Sequence, residues 1–318
     1  MKKFIPFFII FTILITSCNS DQPPTLSAQI KLIPVGLQPQ ALTSGLKPNT
    51  ALVSCFKDNS VYELNIPQAK VTKKIIVRKG PNKIITDSKY KKTYCLHTLE
   101  NALVILDGPN LKVTKKLSTG NISLANANLH PLKNQLWICD GTYTTAILTT
   151  PTIKRTRNKI QLGRYPQAIA FTPKGKLALI TLKGENALAL VNTNSYEETT
   201  RISTGIYPSD VVHTNNIAYV SNYGSHDISL IDIKQRKEIT RLKVRKKPNA
   251  LALQKNILWV ACEGSYRIMA IDTQQATVIG SIKVGFYPGD ILPLKDGTLL
   301  VTAPKKHQVA LVKPSSLN

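Results

Sequence analysis

Tyrosine, arginine and lysine recur beside the turns of this sequence, and they are its strongest candidates for binding chemistry. Aromatic planes that alternate with cations can stack on bases or sugars while the cations neutralise phosphate or carboxylate. As an alternative, the tyrosines of the repeated Gly-x-Tyr-Pro turns pack between neighbouring repeats. The candidate ligand-binding residues are Arg78, Arg164, Tyr165, Tyr207, Tyr223, Arg245, Tyr287 and Lys305.

Catalytic patterns are weaker than these binding patterns. The sequence contains no Cys-x-x-Cys-His, His-Glu-x-x-His or Gly-x-Ser-x-Gly motif, and its histidines are scattered over different parts of the chain. We therefore expect no catalytic residue, no cofactor and no metal site.

A repeat of about forty residues positions the candidates. Residues 204–244 form its clearest copy: a Gly-x-Tyr-Pro turn followed by four short runs of β-forming residues, with turn residues between them. Ser123 takes the place of the turn proline in a degenerate third copy, so the chain contains seven copies. Four strands at a fixed period near forty are typical of propeller blades. The turn prolines are Pro39, Pro81, Pro166, Pro208, Pro248 and Pro288.

The last copy has three strands, which predicts how the ring closes. Residues 29–35 resemble the fourth strand of copy six, so we expect them to complete the last blade with Ile30, Leu32 and Ile33 buried. Pro34 fits an edge strand. The sequence thus predicts an all-β, seven-bladed β-propeller of four-stranded antiparallel blades, closed by an N-terminal strand. The turns before each first strand and the loops between second and third strands would then share one face, which carries the candidates.

Three short motifs carry a resemblance to a known family. The run Tyr219-Val220-Ser221-Asn222, the Val284-Gly285-Phe286-Tyr287-Pro288 turn and the Ile231-Asp232 strand ending resemble the YVTN family of bacterial and archaeal β-propellers. The resemblance covers about residues 29–313 and implies the propeller fold. It also raises a lactonase-like hydrolase as an alternative, in which first-strand oxygens would hold a divalent cation. Those strands offer two carboxylates, Asp210 and Asp290, which is little charge for calcium.

The first residues predict export and a lipid anchor. Lys2 and Lys3 precede an apolar run over residues 4–15 that is too short for a permanent membrane helix. The sequence Ile15-Thr16-Ser17-Cys18 resembles the lipobox of bacterial lipoproteins; the alternative is an ordinary secretory signal cut nearby. We expect a signal peptide over residues 1–17, a lipidated tether over 18–28 and the propeller over 29–318. The protein would sit in the cell envelope, on the periplasmic or outer face, attached to the membrane through Cys18.

The formal net charge of +24 favours anionic partners. Removal of Lys2 and Lys3 with the signal would leave about +22. Many lysines fall on or beside predicted fourth strands, where they discourage edge-to-edge pairing, so edge protection explains part of the charge.

Four cysteines remain after Cys18, and all fall in predicted second strands: Cys55, Cys95, Cys139 and Cys262. Adjacent sheets pack about 10 Å apart, whereas bridged Cα atoms need to lie within about 7 Å. We therefore expect buried free thiols rather than disulfides.

These features favour a monomeric, lipid-anchored, non-enzymatic propeller that acts as a ligand-binding or assembly platform in the cell envelope. Its partner would be an anionic ligand or an envelope protein. Two alternatives stay open: a propeller that binds polyanions or nucleic acid through its basic, aromatic face, and the metal-dependent lactonase-like hydrolase.

Overall fold

The computed structural model describes residues 23–119, 123–141, 145–149, 158–214 and 216–315. The predicted signal peptide and Cys18 lie outside these residues. Among the described residues, no helix is long and apolar enough to cross a membrane. Two single turns of 3₁₀ helix occur, at Glu263–Ser265 and Pro304–Lys306.

The chain forms 28 strands arranged in seven antiparallel four-stranded sheets, which we call blades one to seven. Blade one contains β2 (Pro39–Ser44), β3 (Thr50–Cys55), β4 (Ser60–Asn65) and β5 (Lys70–Ile76). Blade two contains β6 (Pro81–Asp87), β7 (Lys92–His97), β8 (Ala102–Asp107) and β9 (Lys112–Ser118). Blade three contains β10 (Leu124–Leu129), β11 (Leu136–Asp140), β12 (Thr145–Thr149) and β13 (Asn158–Gln161). Blade four contains β14 (Pro166–Phe171), β15 (Leu177–Leu182), β16 (Ala187–Asn192) and β17 (Glu198–Ser203).

Blade five contains β18 (Pro208–His213), β19 (Ile217–Asn222), β20 (Asp227–Asp232) and β21 (Lys237–Lys243). Blade six contains β22 (Pro248–Gln254), β23 (Ile257–Cys262), β24 (Arg267–Asp272) and β25 (Thr277–Lys283). Blade seven contains β26 (Ile291–Pro293), β27 (Leu299–Ala303) and β28 (Gln308–Pro314), and its outer strand is β1 (Ala28–Pro34).

The predicted all-β propeller architecture is confirmed, but the blade count needs a correction. Six of the described sheets are each formed by one continuous segment, whereas blade seven combines both ends of the described chain in the order β1-β28-β27-β26. The number of blades that are each completed by one continuous segment is therefore six, and the predicted seven is corrected to six in this sense. The physical reason is that β28 would otherwise leave a row of backbone donors and acceptors unpaired at its edge.

The closing strand differs from its prediction in two details. It occupies Ala28–Pro34 instead of residues 29–35, and it pairs with β28 from Ala28 opposite Pro314 to Pro34 opposite Gln308. Ile33 is 1% exposed, but Ile30 and Leu32 are each 38% exposed, so the expectation that all three are buried is wrong. An outer strand covers the blade with one face and meets solvent with the other, because its side chains alternate.

The segment before β1 also contacts the ring. The Leu26 backbone N–H donates to Ser281 O at 2.8 Å, and the Ser281 N–H donates to Pro24 O at 2.9 Å. Leu26 packs against the apolar core shared by blades six and seven, beside Gly280. Residues 24–26 are therefore fastened to blade six before the chain enters blade seven.

The third copy is shifted by one residue from its prediction. Leu124 pairs with Asp140 in the way that Pro208 pairs with Asn222, so Leu124, and not Ser123, takes the position of the turn proline. Cys139 accordingly corresponds to Ser221. The leucine keeps the position buried without the fixed backbone angle of proline, and this is why the copy looks degenerate in the sequence.

The second strands form the core of each blade, and the four cysteines lie there. Cys55, Cys95, Cys139 and Cys262 are buried free cysteines. Burial raises the pKa of the Cys55 and Cys262 thiols to about 12 and raises the pKa of Cys95 and Cys139 as well. These thiols are protonated at neutral pH and are poor nucleophiles.

Candidate functional site

One surface, which we call the loop face, is formed by the loops that connect successive blades and the loops between second and third strands. Backbone hydrogen bonds fasten the two kinds of loop together within a blade. Phe56 N–H donates to Gln38 O at 2.9 Å in blade one, and Tyr223 N–H donates to Tyr207 O at 3.0 Å in blade five. The connecting loops carry Arg78, Arg164, Tyr165, Tyr207, Arg245 and Tyr287, and the other loops carry Tyr223 and Lys305.

Tyr165 and Tyr207 lie on the surface of the loop face. They are 53% and 51% exposed, and both have left-handed backbones, with φ of 54° and 55°. Each ring lies over a glycine: a Cβ on Gly184 would come within 2.7 Å of Tyr165, and one on Gly224 within 2.9 Å of Tyr207. These two tyrosines therefore do not pack between neighbouring blades, which was the alternative interpretation of the repeated turn.

Blades five and six share an aromatic and charged contact. The Tyr223 hydroxyl donates to Glu263 Oε2 at 3.3 Å, and Lys247 Nζ lies 5.5 Å from the centre of the Tyr223 ring. The backbone N–H of Lys247 also donates to His226 Nδ1 at 3.3 Å. These contacts fix the tyrosine between an anion and a cation.

Blades six and seven meet at a pair of tyrosines. The Tyr266 hydroxyl donates to the Tyr287 hydroxyl at 2.7 Å, and the rings are 4.5 Å apart at 66°. Lys305 Nζ lies 3.7 Å from the centre of the Tyr287 ring. The hydrogen bond from Tyr266 and the Lys305 ammonium both lower the pKa of Tyr287, whereas donating that bond raises the pKa of Tyr266. This cluster presents two tyrosine hydroxyl groups beside a cation.

The three candidate arginines have different surroundings. Arg78 Nε contacts Glu100 Oε2, so its charge is engaged within blade two. The Arg164 side chain is exposed, and its backbone N–H donates to Glu185 Oε1 at 2.7 Å. Arg245 is partly buried beside Cys262. Of these three, Arg164 presents the most accessible guanidinium on the loop face.

The two inner-strand aspartates connect neighbouring blades. Asp210 Oδ2 accepts the Leu251 N–H of blade six at 2.9 Å, and Asp290 Oδ2 accepts the Leu42 N–H of blade one at 2.8 Å. Burial raises the pKa of Asp210 to about 6, although the Lys83 ammonium opposes the shift. Each carboxylate therefore accepts a hydrogen bond from a backbone N–H at the inner edge of the next blade. Among the described residues, no three His, Cys, Asp or Glu side chains lie together as a group that could hold a metal ion.

A cavity of about 520 Å³ opens on the loop face where blades six, seven and one meet. We call it the seam cavity. Three carboxamides line it, Gln38, Gln40 and Asn249, together with Lys57, Glu263, Tyr287, Lys305 and His307. Its volume lies within the range typical of small-ligand sites.

A difference between the blades places two lysines at this cavity. In blades four, five and six, the loop between the second and third strands contains a residue with a left-handed backbone. Two residues before it stands a glycine, over which the connecting loop packs closely: Gly184, Gly224 and Gly264. Blades one and seven have Lys57 and Lys305 at this place. The side chains of these two lysines line the cavity, whereas the glycines of blades four, five and six place no side chain there.

Sequence reasoning found the face but missed the seam cavity. Tyr287 and Lys305 were candidates, whereas the cavity lining by Gln38, Lys57 and Glu263 was not predicted. The available signal was the replacement of a repeated glycine by lysine in two copies that become neighbours when the ring closes.

Comparisons with known proteins support the fold. No family model matches this sequence, and no curated protein matches it. Among solved structures, hydrazine synthase of Kuenenia stuttgartiensis is 14% identical, with a TM-score of 0.79 over 96% of this chain and 99% of that chain. The β-propeller domain of Cps50 (Swd1) from Myceliophteria thermophila is 12% identical, with a TM-score of 0.77 over 91% of this chain and 100% of that chain. Streptogramin B lyase is 13% identical, with a TM-score of 0.78 over 91% of this chain and 98% of that chain.

These similarities define the class of protein as a β-propeller. Two of these proteins are named as enzymes and the third as a propeller domain, and identities this low carry the fold and not a function.

Proposed function

We propose that this protein is a non-enzymatic binding propeller that docks a partner protein on its loop face. The observation that carries the proposal is the accumulation of exposed apolar side chains there. Of the twelve large hydrophobic residues that are exposed in the described chain, six lie on this face. They are Leu37, Leu99, Tyr165, Ile206, Tyr207 and Tyr266.

Exposed apolar surface is costly in water, and its concentration on one face is typical of an interaction site. Ile206 and Tyr207 are adjacent and half-exposed, at 50% and 51%. Tyrosine is a residue type that commonly dominates the energy of protein interfaces. Tyr207 has a left-handed backbone, and half of its side chain is open to a partner.

The charges of the loop face favour an acidic partner. Its carboxylates are engaged within the protein: Asp58 accepts the Tyr62 hydroxyl, Glu185 contacts Arg201, and Glu263 accepts the Tyr223 hydroxyl. Exposed lysines on the same loops make no ion pair with the described residues: Lys57, Lys79, Lys183, Lys246 and Lys306. A partner with acidic and apolar groups would complement this surface.

The proposal places the protein in the cell envelope, attached to a membrane through lipid on Cys18. The lipobox-like residues before Cys18 and the apolar run over residues 4–15 support this placement. The resemblance to YVTN propellers supports export, because that family includes surface-layer and periplasmic proteins. A polyanion, including nucleic acid, is the second candidate partner, supported by the same unpaired lysines.

Site-specific photo-crosslinking in the native envelope tests the docking face. A photoreactive residue replaces Tyr165 or Tyr207 on the loop face, or Tyr90 or Leu132 on the opposite face, which are 39% and 68% exposed. We expect one protein product shared by positions 165 and 207 and absent at 90 and 132. Equal products from both faces, or none from the loop face, would contradict the proposal.

A further inference from the structure

We propose that the seam cavity binds an acidic sugar residue, such as a uronic acid in a glycan. This inference rests on the proposed binding face and names the ligand for one part of it. The chemistry of the lining supports it in three ways: amides suited to hydroxyl groups, cations suited to a carboxylate, and flat surfaces suited to a sugar ring.

The carboxamides provide the hydroxyl recognition. Gln38 Oε1 is buried at the cavity and has no hydrogen-bond partner among the described residues. The side-chain amides of Gln40 and Asn249 also make no hydrogen bond within the described chain. A buried acceptor without a donor costs free energy that a ligand hydroxyl would recover. Each amide offers both a donor and an acceptor, as each sugar hydroxyl does.

The cations provide the recognition of charge. Lys57 Nζ has no partner among the described residues, and Lys305 Nζ contacts the ring of Tyr287. The one carboxylate of the lining, Glu263, already accepts the Tyr223 hydroxyl. His307 Nδ1 accepts the Gln38 N–H at 3.1 Å, which leaves Nε2 as the ring nitrogen that can carry a proton. Two ammonium groups, Lys57 and Lys305, thus stand against one carboxylate in the lining, so the lining carries a net positive charge.

The apolar part of the lining is flat. Tyr287, Pro288 and Pro304 border the cavity, and among the described residues no aliphatic side chain larger than proline takes part in its lining. Proline and tyrosine rings suit the C–H face of a sugar, whereas the side chains of an acidic peptide offer no such flat apolar face. The lining thus favours an acidic sugar over an acidic peptide.

The position of the cavity within the repeat also indicates a dedicated site. Lys57 and Lys305 replace glycine at equivalent places of two blades, 248 residues apart in the sequence, and ring closure makes those blades neighbours. The lysines that stand at the glycine position in these two blades therefore both bring positive charge to one cavity.

Calorimetric titration of the purified full chain tests the inference. The probes are digalacturonate, its neutral methyl ester and diglutamate peptide. We expect digalacturonate to bind at least about ten-fold more tightly than either, because a charge-assisted hydrogen bond is lost in the ester. Lys57→Gln and Gln40→Leu should each weaken its binding by about ten-fold. Lys174→Gln, at an exposed lysine of the loop between β14 and β15 on the opposite face of blade four, should leave it unchanged.

Each other outcome overturns the assignment. Equal binding of acid and ester, or no binding of either, excludes an acidic sugar, and tighter binding of diglutamate assigns the cavity to acidic peptides instead. Unchanged affinity in Lys57→Gln places the binding elsewhere. Failure here leaves the docking of a protein at Tyr165 and Tyr207 intact, because photo-crosslinking reads that contact separately.

Discussion

Because β1 closes the ring, we predict that two isoleucine-to-alanine substitutions on this strand lower the free energy of unfolding by different amounts. Ile33 is 1% exposed and packs with Leu42 of blade one and Val309 of blade seven, whereas Ile30 is 38% exposed. Ile33→Ala removes the same atoms as Ile30→Ala, but it leaves a cavity between the first and last blades. Cavity formation adds to the lost transfer free energy, so Ile33→Ala should lower the free energy of unfolding by about 2–5 kcal/mol.

Ile30→Ala is the matched control for strand propensity and side-chain size. Because Ile30 already meets solvent, we expect a loss of about 1 kcal/mol or less. Urea unfolding followed by circular dichroism measures both variants, with an unchanged slope and a lower midpoint for Ile33→Ala. Its melting temperature should fall by roughly 4–10 °C. Equal losses for the two variants, or less than about 1 kcal/mol for Ile33→Ala, would refute closure through β1.

Three further predictions concern protonation, thiols and anchoring. Burial lowers the pKa of His97 to about 4, below its unfolded value of about 6.5, so its contribution to stability is present above pH 6.5 and lost as pH falls towards 4. The wild type should lose up to about 3 kcal/mol more than His97→Asn between pH 7 and pH 4, and parallel curves would contradict this. Cys55, Cys95, Cys139 and Cys262 should react slowly with a thiol reagent until denaturant is added without reductant, and fewer than four released thiols would indicate a disulfide. Cys18→Ser should abolish palmitate labelling, and labelling that persists would rule out the lipid anchor at this residue.

Much of the fold could be predicted because each blade repeats the same local signals. Turn prolines and alternating strands define the unit, and the missing fourth strand of the last copy points to residues near the N-terminus. The third copy was misaligned by one residue because Leu124 fills the proline position by burial alone. Ile30 and Leu32 were assigned to the core because periodicity does not tell which face of an edge strand meets the blade.

The candidate site could be predicted as a face but not as a cavity. Tyr165 and Tyr207 follow directly from a repeated turn, so their common surface follows from the fold. The seam cavity depends on how blades six, seven and one approach one another. Such spacing between blades has no counterpart in the local sequence pattern.

The affinity of the crosslinked partner for three forms of the protein tests the docking face most directly. The forms are the wild type, Tyr207→Ala on the loop face and Tyr90→Ala on the opposite face. We predict that Tyr207→Ala weakens binding at least about ten-fold, as expected for an interface tyrosine, and that Tyr90→Ala leaves the dissociation constant unchanged. A protein partner should also lose much less affinity between 50 and 200 mM salt than a nucleic acid, which would lose about 10³-fold or more. Equal affinities for the two variants would contradict the loop face as the binding surface.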